Sequence, residues 1–438
     1  MTTELTPRVR RGYALGSVAT GTFGTVPGLL LLPYLTDEIG IGAALAGVLV
    51  FAPKAWDVVL NPIAGRISDR SRHPGGRRRP FLVRAGLTLA VLFALMFAGP
   101  TEPQALAAAW VALAFLGCAS AYAFFQVPYV AMPAELTLDY AERTRLMTWR
   151  VVVLALAILL SGATAPIVAN QWGHAAMGVY IGAVIALGAV GTWWGTRGAP
   201  EHPSDTAPGS FLDQLRLVGA DADFRAVLLT FVLQAAAIGT VLAGVAYVAD
   251  DLLDSAAANT FLFVAFVGPA LLVTPVWERY ATDRGKRSGY FWATGFLLAG
   301  MVVLLTTLEG WIAPTYVAAA LVGIGYAGAQ VFPMAMLPDV AAEDARRSGS
   351  NRIGVFTGVW TAGETLGMAL GPGIFALVIA SGGYVSSTSA VTVDQPDSAR
   401  LAIALGFSLV PAALTALSLV ALRGYRLDDR LRSADVPR

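Results

Sequence analysis

Residues 39–80 read IGIGAALAGVLVFAPKAWDVVLNPIAGRISDRSRHPGGRRRP. An apolar run fills 40–66, Lys54 and Asp57 sit three residues apart inside it, and a burst of arginines follows its exit. A bilayer-spanning helix needs about 20 mostly apolar residues, so 40–66 is long enough to cross. A charge held at mid-bilayer depth costs on the order of 2.5–3.5 kcal/mol on insertion scales. The buried carboxylate therefore requires one explanation and the arginines at the exit another.

Working outward, eleven further runs match this one in length and oiliness: 13–35, 81–100, 104–133, 146–169, 175–196, 224–249, 259–281, 289–309, 312–338, 353–380 and 400–423. They predict an all-α membrane protein of twelve transmembrane helices, since runs this long without period-two alternation do not suit strands. Composition agrees. Of 438 residues, 56% are apolar and only 13% charged, against about 25% charged in an average soluble protein, which excludes an ordinary globular enzyme. One cysteine, Cys118, excludes a disulfide framework, and three histidines argue against a zinc cluster. The run from Tyr13 is too long for a signal-peptide core and reads as a first span.

Basic residues set the orientation. Of the 30 Lys and Arg, all but Lys54 and Arg400 lie in the termini, in even-numbered loops or at the helix ends beside them. The odd-numbered loops are acidic, with Asp37, Glu38, Asp250, Asp251 and Asp254 among their members. This bias predicts that both termini face the cytoplasm of a cell-membrane protein. A polar stretch rich in Pro, Asp and Gly divides the chain into 1–196, a linker at 197–223, and 224–438. Within the linker, FLDQLRLV (211–218) suits a short surface helix. An internal repeat supports the division. QVPYVAMPAEL from Gln126 is matched by QVFPMAMLPDV from Gln330, and PIAGRISDR from Pro62 by PVWERYATDR from Pro275. Each pair holds the same rank in its half, so two pseudo-symmetric six-helix bundles are expected.

These features resemble the major facilitator superfamily. WDVVLNPIAGRISDRSRHPGGRRRPF (56–81), YLTDEIG (34–40), VPYVAMPAELTLDYAERTRL (127–146) and the Gly383-Tyr384 pair resemble, more narrowly, the glycoside–pentoside–hexuronide:cation symporters, to which melibiose permease belongs. The resemblance implies a secondary carrier for a small-molecule substrate. It places Asp57 on the family's first cation-site aspartate and Lys54 on a basic residue one turn before it. Asn61 stands where sodium-coupled members carry a second aspartate. Gln126 and Gly21 stand where melibiose-type carriers hold sugar-binding aspartates, and Val130 replaces a sugar-stacking tryptophan. Arg150 matches an arginine of the fifth span, and Glu364 stands where many members have a lysine.

Read physically, Lys54 and Asp57 are i and i+3 on one helical face and can neutralise each other; the pair is either a structural ion pair or a coupling site. Asn61, one turn on, adds an oxygen ligand. One carboxylate beside a lysine suits a proton better than sodium. Glu364 lies among Gly358, Gly363, Gly367 and Gly371, a pattern that permits close helix approach; with Asp57, Lys54 and Asn61 it completes the expected cation-coupling set. Gln126, Gln330 and Arg150, with the aromatics Tyr122, Tyr129, Trp149 and Trp360, are the candidate substrate contacts, interhelical bonding and packing being the alternatives. Gln234 is a further polar residue of the same kind, and Tyr326 a further candidate aromatic. The matching loops carry Arg66, Asp69, Arg70 and Glu278, Arg279, Asp283, Arg284, which hold topology against anionic lipid and can latch a gate.

The expected activity is proton-coupled symport of a small solute such as a sugar or glycoside, by alternating access. Uncoupled or export transport and an amphipathic, lipid-like cargo remain open. A receptor or scaffold would not need buried ionisable residues in two matching halves. No Walker A sequence supports direct ATP drive, no catalytic constellation, metal site or cofactor is indicated, nucleic acid is not an expected partner, and a monomer surrounded by membrane lipid is expected.

Overall fold

The computed structural model describes residues 5–69, 71, 73, 76–137, 140–199, 216, 219–348, 353–388 and 393–428. Among them the first six helices are α1 (Pro7–Pro33), α2 (Ala43–Asp69), α3 (Arg79–Phe97), α4 (Gln104–Leu136), α5 (140–172) and α6 (174–195). The last two form one continuous element, Tyr140–Gly195, broken at Gly173, whose φ of 85° favours glycine because it has no Cβ. The other six are α7 (Ala222–Tyr247), α8 (Ala256–Arg284), α9 (Lys286–Val303), α10 (Ile312–Ser348), α11 (Ile353–Ser381) and α12, made of Asp397–Phe407 and Leu409–Leu422 joined at Ser408. All twelve expected spans are thus helical, and most are long and apolar enough to cross a bilayer as single elements.

Local sequence explains the ends. Pro7 and Pro80 stand in the first turns of α1 and α3, where a missing N–H costs nothing. Asp221 caps α7 by accepting from the Phe224 N–H at 2.8 Å. Five-residue π-turns, Tyr34–Glu38 and Val248–Leu252, close α1 and α7. The segments YLTDE (34–38) and YVADD (247–251), which include most of these turns, are a further trace of the repeat. Side chains such as Leu272 (82% exposed), Leu187 (73%) and Leu113 (70%) lie bare. Such surfaces are untenable in water and suited to lipid.

The chain divides into two compact units, Met1–Thr206 with Ser386–Thr392, and Ala207–Val385 with Val393–Arg438. The division falls inside the linker expected at 197–223. The assignment of Ser386–Thr392 to the first unit departs from the expected second bundle, 224–438. Two hydrogen bonds account for it: Ser387 N–H donates to the Thr36 carbonyl at 3.0 Å, and Ser386 Oγ to the Ile41 carbonyl at 2.8 Å. The surface helix expected at 211–218 lies, apart from Arg216, outside the described residues.

Each unit has its own close helix contact. In the first, a Cβ on Gly12 or Gly195 would fall 2.4–2.5 Å from the other's Cα, so α1 and α6 touch backbone to backbone. In the second, Gly371 meets Gly239 in the same way, while Gly367 and Gly363 face Val232 and Leu228 of α7. The glycines around Glu364 therefore do seat α11 on α7, except Gly358, which faces open space. The second unit's core packs Phe231, Trp277, Tyr290, Phe332 and Trp360.

Candidate functional site

In the first unit α2 carries Lys54, Asp57 and Asn61 along one side. Asp57 is 2% exposed, and its Oδ1 has no hydrogen-bond partner. Lys54 stays within electrostatic reach of Asp57 and of the buried Cys118. The expected direct pairing does not form, however: among the described residues no ion pair joins Lys54 to Asp57. The ammonium instead lies 4.8 Å from the centroid of Phe23 on α1 and 5.9 Å from that of Tyr122 on α4, two rings 4.6 Å apart. A long, flexible lysine gains more from two desolvated π-faces than from bending back along its own helix. Asn61 is half-buried one turn further on.

A second polar cluster joins α1, α4 and α5. Tyr129 stacks on Tyr13 at 4.8 Å and lies 5.8 Å from Phe125. Its hydroxyl bonds Ser17 Oγ at 2.9 Å and donates to the Tyr13 carbonyl at 3.0 Å. The Arg150 guanidinium carbon lies 5.6 Å from the Tyr129 ring centroid, and Arg150 and Tyr13 both interact with the Tyr129 hydroxyl. Gln126 is half-buried one turn before Tyr129. The structure thus brings Lys54, Tyr122, Gln126, Tyr129 and Arg150 onto neighbouring helices of one unit. It leaves Trp149 out, 51% exposed on the other side of α5. At Gly21 an added Cβ would lie 3.1 Å from Ala157 and Leu154, so α1 packs on α5 there. Sequence reasoning missed Tyr13, Ser17 and Phe23. The available signal was α1 itself, whose SVATGTFGT (17–25) is unusually rich in hydroxyls for a membrane span.

In the second unit Glu364, half-buried on α11, lies within electrostatic reach of Tyr326 on α10, which neighbours Gln330 and stacks near Phe266 at 5.2 Å. Trp360 does not join them. It is 1% exposed and stacks on Phe231 at 4.4 Å, so it packs α11 on α7 rather than facing a solute. Gln234 is a structural hub. Its Nε2 donates to Thr294 Oγ1 at 3.0 Å and to Ser418 Oγ at 3.1 Å, while its Oε1 accepts from the Tyr290 hydroxyl at 3.0 Å.

Of the expected gate residues, Arg66, Glu278, Arg279, Asp283 and Arg284 are exposed at the ends of α2 and α8. Arg70 and the side chain of Asp69 lie outside the described residues. Other charges near these helix ends also make close contacts. In the first unit Arg78 Nε donates to Glu135 Oε1 at 2.9 Å and its NH1 to Ser68 Oγ at 2.8 Å; Arg10 grips Glu142 with two bonds of 3.0 Å. In the second, Lys286 Nζ binds Asp339 Oδ2 at 2.5 Å and the Ala335 carbonyl at 2.9 Å. Glu135 and Asp339 occupy the same place in the repeated QVPYVAMPAE and QVFPMAMLPD segments. At the opposite helix ends the π-turn acids also find bases: Glu38 lies 3.8 Å from His174, and Asp251 is within electrostatic reach of Arg400.

Twelve helices in two units, with ionisable and hydrogen-bonding groups held inside apolar spans, define a multi-span membrane transporter rather than an enzyme. The chain belongs to the family described as MFS/sugar transport protein, which matches residues 12–429. It is 25% identical to YagG of Escherichia coli (strain K12), named as a glycoside/cation symporter, across 98% of this chain and 93% of that one. It is 22% identical to the isoprimeverose transporter of Lactiplantibacillus pentosus, across 96% and 88%. The fold is shared with a bacterial homolog of the human lysosomal transporter Spinster in an inward-facing, occupied conformation. There the TM-score is 0.71 at 13% identity, covering 97% of this chain and 96% of that one.

Proposed function

We propose that this protein is a proton-coupled symporter that carries a small glycoside-like solute by alternating access, with both termini in the cytoplasm. The observation that carries the reading is Asp57, buried in a membrane helix with an unpartnered oxygen and with its nearest cation engaged by aromatic rings. A carboxylate held this way is costly unless an ion visits it. With Asn61 in place of a second carboxylate, a sodium ion would have one anionic ligand fewer, whereas a proton needs only the Asp57 oxygen. Tyr122, Gln126 and Arg150 offer the aromatic face and donors that a sugar ring requires, while Tyr129, 0% exposed and stacked on Tyr13, packs beneath them. The arginines of the even-numbered loops support the orientation, and the relatives named for glycosides and isoprimeverose support the solute class.

Reconstitution in proteoliposomes with labelled glycosides, isoprimeverose among them, tests the proposal. An inward proton gradient should drive accumulation and a sodium gradient should not. Asp57→Asn should abolish accumulation yet keep solute-for-solute exchange. Glu364→Gln, which alters the other acidic member of the expected coupling set, should likewise weaken proton-driven accumulation. Accumulation by Asp57→Asn equal to that of the unaltered protein refutes the coupling role.

A further inference from the structure

The arginine-rich exit of α2 divides into two groups. Arg78 is bound to Glu135 and Ser68, Arg77 lies 3.6 Å from Glu135, and Arg79 donates to the Ala199 carbonyl at 2.6 Å. These three are used by the protein itself. Arg84 is not: it is exposed on α3 and makes no ion pair or hydrogen bond among the described residues. It stands five residues beyond Arg79, about 7.5 Å along the helix axis. The 19 residues of α3 span about 28 Å, close to the thickness of the hydrocarbon layer. An uncompensated guanidinium at that depth must reach back toward the phosphates.

Arg84 also opens onto a cleft of about 330 Å³ between α3 and α4. Ser71 and His73 supply the rest of its polar lining, and Phe81, Ala121 and Phe124 its apolar lining, the two phenyl rings lying nearly parallel with centroids 6.5 Å apart. A cation and an apolar surface in one cleft match one kind of molecule in charge and in polarity. We propose that this cleft binds one anionic glycerophospholipid from the leaflet on the side of the even-numbered loops, with its phosphate on Arg84 and Ser71 and an acyl chain against Phe81 and Phe124. The site is separate from the Asp57 region and does not depend on the coupling ion.

The test is native mass spectrometry of the full chain in detergent, mixed with equal amounts of phosphatidylglycerol and phosphatidylcholine. The unaltered protein should retain one phosphatidylglycerol in preference to phosphatidylcholine. Arg84→Gln should reduce that preference about fivefold, the effect of one interfacial basic residue, whereas Arg66→Gln should not change it. Thr88→Trp, which fills the cleft from its exposed side, should lower retention of both lipids. Equal retention of the two lipids by the unaltered protein, or an Arg84→Gln preference matching it, overturns the proposal.

Discussion

Two buried polar residues, one in each unit, are treated in opposite ways. In the second, Gln234 is 2% exposed and every bonding group around it is matched, by Thr294, Ser418 and Tyr290. In the first, Asp57 is equally buried, yet Oδ1 is left without a partner. A satisfied buried network fixes one packing arrangement, while an unsatisfied one awaits a ligand or ion. Residue type alone does not make this distinction, because all of these positions read as polar residues in oily spans.

The contrast can be broken by mutation. The largest expected effect is on transport: Asp57→Asn should reduce proton-driven accumulation to the level of equilibration, with little change in melting temperature. Next is the Arg78–Glu135 pair, whose side chains are only 5% and 4% exposed. Glu135→Gln strands a buried guanidinium and should cost about 3–5 kcal/mol of stability, read by thermal unfolding in detergent. Gln234→Leu should cost about 1–3 kcal/mol, since it leaves buried hydroxyls unpaired, and should spare the response to a proton gradient. A normal melting temperature with lost coupling would reverse the roles assigned to Gln234 and Asp57. The smallest effect is expected at the repeat-related pair Lys286–Asp339, whose side chains are 29% and 26% exposed. There Asp339→Asn should cost about 1 kcal/mol or less, and a loss equal to that of Glu135→Gln would show that burial is not what separates the two pairs.

Much of the architecture was legible in the chain. The twelve long apolar runs became helices, as a one-dimensional rule about hydrocarbon thickness requires. The glycines near Glu364 also predicted close helix approach correctly at Gly363, Gly367 and Gly371. The site was legible only in part. Lys54, Tyr122, Gln126, Tyr129 and Arg150 do gather, but Tyr13, Ser17 and Phe23 complete the set from a helix that carries no charge among them. Trp149 and Trp360 illustrate the limit: one is exposed and the other sealed in a core, although both are tryptophans in apolar spans.

The sequence by itself determined that the chain crosses a membrane many times, which loops are basic, and that its halves repeat, because hydrophobic length and charge act on each segment independently. Only the tertiary structure decided that Lys54 turns to Phe23 and Tyr122 instead of Asp57, that Gln234 is fully matched while Asp57 is not, and that Arg84 stands apart from the arginines beside it. Those outcomes depend on which helices approach one another, and a hydrogen bond or ring contact is fixed by distances of a few ångströms between residues far apart in the chain.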